Sequence, residues 1–156
     1  MNDPVVSIVI PTYNRADFLP RTLSSALSQT YRNIEIVVCD NASTDQTSDL
    51  VAEFQGRHPD RNIRYIRHAT NIGPVRNWFS GIRESRGEFI KILFSDDYLY
   101  PCAIRSLLQP LMGNSYAFSY GKVHNLWEGC KGSKVTNFGR QRPGNFVRSR
   151  DYIAGF

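Results

Sequence analysis

At 156 residues and 41% hydrophobic, the chain has enough apolar material for one core, which makes a single folded core the first expectation. No stretch approaches the about 20 apolar residues of a membrane helix, the N-terminus lacks the basic, apolar and small-residue order of a signal peptide, and three cysteines without metal-ligand spacing argue against a disulfide framework. The net charge of +5 lies wholly in the tail, because residues 1–120 hold 12 Lys/Arg and 12 Asp/Glu while residues 121–156 hold 7 and 2.

The chain is therefore expected to be made and kept in the cytoplasm. Its basic tail, with Lys122, Lys131, Lys134, Arg140, Arg142, Arg148 and Arg150, faces an anionic acceptor, a membrane surface or nucleic acid, or is a solvated loop-rich face. Only this tail speaks for nucleic acid, so no nucleic-acid partner is expected, and contact with a membrane would be peripheral, at its inner face.

Val5 to Ile10 is a nearly continuous apolar strand, the pattern of a strand covered on both faces. Pro11-Thr12-Tyr13-Asn14 stops it, and Leu19, Leu23, Ala26 and Leu27 then recur at helical spacing over residues 16–29. Ile34 to Cys39 is a second buried-type strand ending at Asp40. Ser43-Thr44-Asp45-Gln46 fits a capping box ahead of a helix with Leu50, Val51 and Phe54 on one face. Ile63 to Arg67 alternates as a third strand, and Asn71-Ile72-Gly73-Pro74 turns into a helix running to about Ser85.

Ile90 to Phe94, broken only by Lys91, forms the fourth strand and ends in Ser95-Asp96-Asp97, after which Pro101 opens a helix carrying Ile104, Leu107, Leu108 and Leu111. Proline at the first helical position puts the cap at Tyr100 and leaves both aspartates in the turn. Tyr116 to Tyr120 reads as a fifth strand, Asn125 to Asn145 holds one hairpin, and Ser149 to Phe156 starts a helix. Strands alternating with helices give an α/β fold with a mainly parallel sheet and right-handed crossovers. In such sheets ligands bind outside the carboxyl ends of the strands. Pro11 to Asn14, Asp40-Asn41 and Asp96-Asp97 all fall on that edge.

Each polar turn offers a chemical and a structural reading. Asp96 and Asp97 are hard oxygen ligands suited to Mg²⁺ or Mn²⁺ carrying phosphate oxygens, or a solvated acidic turn. The Tyr13 ring stacks on a flat base or packs on the first helix. Asp40 accepts an N–H of a base or satisfies backbone donors in the Asn41-Ala42-Ser43 turn. Arg76, in the first turn after Gly73-Pro74, aims with the helix N-terminus at a diphosphate or lies on the surface. Asn77 and Trp78 contact a ligand or belong to the core. His58, His68 and His124 have no partners at useful spacing, and nucleophile signatures, a P-loop and the dinucleotide glycine pattern are missing.

The ordered set Val6 to Arg15, Ser28-Gln29-Thr30-Tyr31, Val37 to Asp45, Asn71-Ile72-Gly73 with Arg76-Asn77, Gly87-Glu88-Phe89-Ile90 and Ser95-Asp96-Asp97 resembles family 2 of the nucleotide-sugar glycosyltransferases over about residues 4–120. The resemblance implies the Rossmann-like GT-A three-layer sandwich, with residues 1–120 as the nucleotide-sugar-binding core and 121–156 as the basic, loop-rich start of an acceptor-side region. It implies that Pro11 and Tyr13 flank the base, Asp40 binds its N–H edge, Arg76 approaches the diphosphate, Asp96 lies near the ribose or sugar, and Asp97 binds a divalent metal, Mg²⁺ or Mn²⁺. The Asp-Asp pair stands where the family often has a spaced Asp-x-Asp.

The implied reaction is inverting, metal-assisted transfer of a sugar from a nucleotide-diphosphate sugar to a hydroxyl of a glycan or lipid-linked acceptor, in a setting such as bacterial surface polysaccharide synthesis. The similar enzymes continue further, so the chain is expected to be truncated at its C-terminus with the catalytic base beyond Phe156. A homodimer through the surface that the missing part would cover is a further expectation. The alternative is a non-catalytic nucleotide-sugar-binding module. A receiver-like signalling domain fits the alternation of elements, but its acids would follow the first strand.

Overall fold

The computed structural model describes residues 3–112, 118–119, 123–126 and 133–136. In chain order these form β1 (Val6–Thr12), α1 (Leu19–Leu27), β2 (Ile34–Asp40), α2 (Thr47–Arg57), β3 (Asn62–Arg67), α3 (Pro74–Glu84), β4 (Phe89–Ile92), α4 (Ala103–Leu108) with a 3₁₀ turn at Gln109–Leu111, β5 (Val123–Leu126) and β6 (Ser133–Thr136). Two compact units divide the chain at 104/105, inside α4, whereas the composition changes near Gly121.

The first unit is built on a four-stranded sheet in the order β3-β2-β1-β4, parallel throughout. Every residue of β1 is buried, and Ile36 to Asp40 of β2 are buried as well. Uninterrupted apolar runs are what a strand needs when helices cover both faces of its sheet. α3 packs on β1 and β2, while α1 and α2 pack against each other. Gly81 makes the α3 contact close, because a Cβ there would run into Val9 Cγ1 and come within 2.9 Å of Cys39 Sγ. Since Val9 faces α3, strand alternation turns Ile8 and Ile10 to the α1 and α2 side.

The amino edge of the sheet is tied by a buried carboxylate. Glu35 Oε1 accepts from Ser7 Oγ at 2.6 Å and from Arg86 N at 2.5 Å, and Arg64 Nη1 stands 3.6 Å from Oε2. Gly87 donates to Ser7 Oγ, and a Cβ on it would lie 2.7 Å from Ser7 N and 2.8 Å from Val5 O. Burial works to raise the Glu35 pKa, but the bonds from Ser7 and Arg86 and the charge of Arg64 outweigh it and hold the carboxyl below its usual range.

Several local expectations shift. α2 starts at Thr47 with Gln46 as its cap residue, not at a box opened by Ser43. The Ser43 hydroxyl is already committed, donating to Asp40 Oδ1 at 2.5 Å and accepting from Asn14 N at 2.9 Å. α4 begins at Ala103, so Tyr100 is not its cap; Pro101 and Cys102 form a turn closed by Ala103 N donating to Tyr100 O. Of the strand expected over 116–120, only Phe118 and Ser119 are described, and neither is in a strand. The hairpin is present as antiparallel β5 and β6, starting two residues before Asn125. The helix expected from Ser149 lies outside the described residues.

Candidate functional site

The strand order fixes where a ligand can enter. The chain runs from β1 outward through β2 to β3, then returns to place β4 on the other side of β1, so the direction of winding reverses between β1 and β4. At such a switch point the loops after the two strands part, leaving a crevice at their carboxyl ends.

A cleft of about 450 Å³ lies there. Pro11, Thr12 and Tyr13 contribute from the end of β1, Phe94, Ser95 and Asp96 from the loop after β4, and Asn41 from the loop after β2. Asn71, Pro74, Asn77 and Trp78 close it from the start of α3, with Arg15 beside them. Pro11 is buried and Tyr13 is 45% exposed, which leaves its ring free to meet a ligand.

The loops at this edge are locked to one another by short polar side chains. Asn14, at φ +51°, accepts Thr44 N on Oδ1 at 2.8 Å, and Asp45 Oδ2 accepts Ala16 N at 3.0 Å. Asn41 Nδ2 donates to Asn71 Oδ1 at 2.8 Å, while Asn41 Oδ1 accepts Ile72 N, so the approach to α3 is fixed by two carboxamides. Gly73, at φ +84°, supplies the turn from which Pro74 starts the helix.

The acidic loop is held from behind by a polar stripe on α1. Thr22 Oγ1 lies 2.8 Å from Ser95 O and 2.7 Å from Asp97 O, and Ser25 Oγ accepts Leu99 N at 3.1 Å. Gln29, just past the helix and fully buried, donates to Tyr100 O at 2.9 Å and accepts Ile104 N at 3.0 Å. Arg21 Nη2 adds a bond to Asp96 O. Of these, only Gln29 was quoted from the sequence, within Ser28-Gln29-Thr30-Tyr31 and without a role; the signal for Thr22 and Ser25 was polar residues recurring at positions 22, 25 and 29, a helical stripe beside the apolar face.

The site residues expected from the sequence separate into two groups. Pro11, Tyr13 and Asp96 line the cleft together, as do Asn77 and Trp78, whereas Asp40, Arg76 and Asp97 are not among its lining residues. Asp40 is fully buried, with Oδ1 accepting from Ser43 N and Oγ, Oδ2 accepting from Tyr65 Oη at 2.6 Å, and Arg67 Nε 3.5 Å from Oδ2. Burial and this carboxylate together push the Tyr65 hydroxyl well up. Arg76 is exposed in the first turn of α3, without a hydrogen bond or ion pair among the described residues. His58 and His68 do not line the cleft.

Asp96 and Asp97 are both exposed at the turn. Partial burial, and then the neighbouring Asp96 carboxylate, raise the Asp97 pKa against the opposing charges of Lys91 and Arg21. Bringing a cation to the pair would relieve that repulsion. Among the described residues no group of three or more His, Cys, Asp or Glu could hold a metal. Two hard carboxylate oxygens suit Mg²⁺ or Mn²⁺, ions that take one or two carboxylates and complete their shell with water and phosphate oxygens. No helix among the described residues is long and apolar enough to cross a membrane.

Comparison with known proteins gives the same direction throughout. The family model described as Glycosyl transferase family 2 matches residues 7–147. A Rickettsia conorii uncharacterised glycosyltransferase is 35% identical over 82% of this chain and 20% of its own length. The Escherichia coli UDP-Glc:alpha-D-GlcNAc-diphosphoundecaprenol beta-1,3-glucosyltransferase is 34% identical over 77% of this chain and 46% of its own. Among solved structures, a mannosyltransferase from Pyrobaculum calidifontis in complex with GDP-Man and Mn²⁺ superposes with a TM-score of 0.68 at 27% identity, covering 74% of this chain and 34% of that one. The chain thus spans between a fifth and a half of the length of these proteins.

Proposed function

The chain belongs to glycosyl transferase family 2 and has the GT-A fold, and from that premise we propose that its cleft binds the nucleotide of a nucleotide-diphosphate sugar for inverting transfer to an acceptor hydroxyl. The observation that carries this reading is the meeting of Pro11, Tyr13 and Asp96 in one crevice at the β1/β4 switch point, with a second carboxylate adjoining.

In this reading Pro11 and the exposed Tyr13 ring flank the base, and Asp96 takes a hydroxyl of the ribose or sugar. Asp40 is assigned the N–H edge of the base. Its Oδ1 is filled by the two Ser43 donors, and Oδ2 keeps one lone pair beyond the bond from Tyr65, with Arg67 facing it; the complete burial of Asp40 requires Tyr65 or the Ser43 turn to shift first. Arg76, unpaired among the described residues, swings to the diphosphate beside the first turn of α3. Asp97 would hold a divalent cation, whose chemistry is to neutralise charge on the departing nucleoside diphosphate. No described residue is assigned as the base that deprotonates the acceptor, since Asp96 is the one carboxylate lining the cleft and is already used. That favours, as a second reading, a nucleotide-sugar-binding module without turnover.

A lipid-linked or other glycan is the proposed acceptor, a choice supported by the diphosphoundecaprenol-linked acceptor in the name of the E. coli glucosyltransferase; a cytoplasmic protein would meet it at the membrane face. Calorimetric titration with UDP, GDP and dTDP, with and without Mn²⁺, tests the donor site on the wild type and Asp97→Ala. Metal-dependent binding of one nucleotide, abolished by the substitution, is expected. Silence towards all three by a folded chain would overturn the assignment. Donor hydrolysis and transfer assays then separate the enzyme from the binding module.

A further inference from the structure

Three residues of the cleft have no use in the scheme above. Trp78 on α3 and Phe94 after β4 meet edge to ring, with centroids 5.1 Å apart and planes at 61°. Both line the cleft, and Phe94 is 40% exposed directly before Ser95 and Asp96. A core needs no ring so open to solvent, and the pair makes a continuous apolar surface of the kind that covers a flat ligand.

Asn77, the residue before Trp78, is buried and lines the same cleft. Its Nδ2 donates to Cys39 O at 2.9 Å. A carbonyl can only accept, so this bond settles which end of the amide is nitrogen and turns Oδ1 away from β2. That Oδ1 is buried with no hydrogen-bond partner. An acceptor left unpaired in the interior is costly, and one carried by a residue that lines a ligand cleft is explained when a small shift of that wall lets a ligand supply the missing donor.

We infer that Asn77, Trp78 and Phe94 form a ring-binding subsite: the aromatic pair covers one face of a ring of the nucleotide sugar, and Asn77 Oδ1 accepts an N–H or O–H from its edge. Base, ribose and hexose share this chemistry. The inference rests on the nucleotide-sugar reading and adds to it a determinant of which donor is preferred.

Trp127→Phe leaves Trp78 as the sole indole of the chain, and in that background the titrations are followed by tryptophan emission as well as calorimetry. The probes are UDP, GDP, UDP-glucose and GDP-mannose, with the 2′-deoxy nucleotide and the nucleotide methylated at the base N–H. Saturable change in Trp78 emission is expected, and Phe94→Leu should weaken binding about 10-fold, the scale of a lost stacking contact. Asn77→Ala should weaken it about 5-fold, the scale of one hydrogen bond. It should also cease to discriminate against one analogue that the parent rejects: the deoxy form if Oδ1 reads the ribose, the methylated form if it reads the base. For the hexose, the gain of the sugar nucleotide over the bare diphosphate should vanish. Because each comparison is made within one variant, a generally weakened fold cannot imitate the result. Nucleotide binding that leaves Trp78 emission unchanged, or Asn77→Ala discriminating as its parent does, would sink the subsite alone. A folded parent that binds no nucleotide would overturn the donor-site reading and the subsite with it.

Discussion

At the scale of single residues, the charge state of Asp97 sets when the acidic turn can work. A metal needs the deprotonated carboxylate, and partial burial with Asp96 alongside holds the Asp97 pKa above the usual aspartate range. Mn²⁺-dependent nucleotide affinity should therefore fall on acidification sooner than an unperturbed aspartate would allow, and rise to a plateau above the elevated pKa. Asp97→Asn, which keeps the shape and removes the charge, should abolish that pH dependence and lower metal-assisted affinity by at least about 10-fold, the range seen when even outer-shell partners are removed. Calorimetric titration across a pH series checks both outcomes. Ser43 shows where reading residues one at a time fails: its spacing to Gln46 is that of a capping box, yet Asp40 and Asn14 occupy its hydroxyl. The competitor in the chain lies three residues away, but Asn14 is 29 residues distant, out of reach of any local rule.

At the scale of elements, α3 and α1 position the site in different ways. α3 sits close to the sheet because residue 81 has no side chain. Gly81→Ala would force the helix off Val9 and Cys39, at about 1–3 kcal/mol typical of overpacking. Since Asn77 and Trp78 ride on that helix, nucleotide affinity should fall with stability, read by urea unfolding and calorimetry together. α1 acts through its polar stripe. Gln29→Ala leaves Ile104 N unpaired and Tyr100 O with the Ala103 amide alone, and should cost about 1–3 kcal/mol, the range for one buried donor left unsatisfied. Metal-dependent binding should weaken as well, although Gln29 lies past the end of α1 and lines no part of the cleft.

The strands and the start of α3 were legible because continuous apolar runs, and a glycine followed by proline, are local statements about burial and φ. Three of the expected site residues, Pro11, Tyr13 and Asp96, converge because they stand in or just past the carboxyl ends of β1 and β4, neighbours in the sheet. The burial of Asp40 under Tyr65 was not legible, since it depends on the register that sets Asp40 beside Arg67 and brings Tyr65 from the neighbouring strand.

At the scale of the whole first unit, function and stability occupy opposite edges of one sheet. The carboxyl edge carries the cleft, and the amino edge carries Glu35 with Ser7, Arg64, Arg86 and Gly87. Glu35 titrates in the folded protein below its unfolded value, so its contribution is complete above the ordinary carboxylate range and is lost as pH falls through the depressed pKa. Glu35→Gln should cost about 1–3 kcal/mol at neutral pH and flatten the acid side of the stability profile, measured by urea unfolding at successive pH values. Nucleotide affinity at neutral pH should change little, because no cleft residue touches that edge.

The bonds from α1 to the acidic loop have a consequence for how such a protein can diversify. Arg21, Thr22, Ser25 and Gln29 grip the carbonyls of Ser95, Asp96, Asp97 and Tyr100 and the amides of Leu99 and Ile104, main-chain groups in every case. The path of the loop is thus written in α1 and the residue just past it, through bonds that use none of the loop's own side chains. Mutation can rewrite Phe94 or the residues around the aspartates, and so try new donors, without first having to reinvent the turn that presents them.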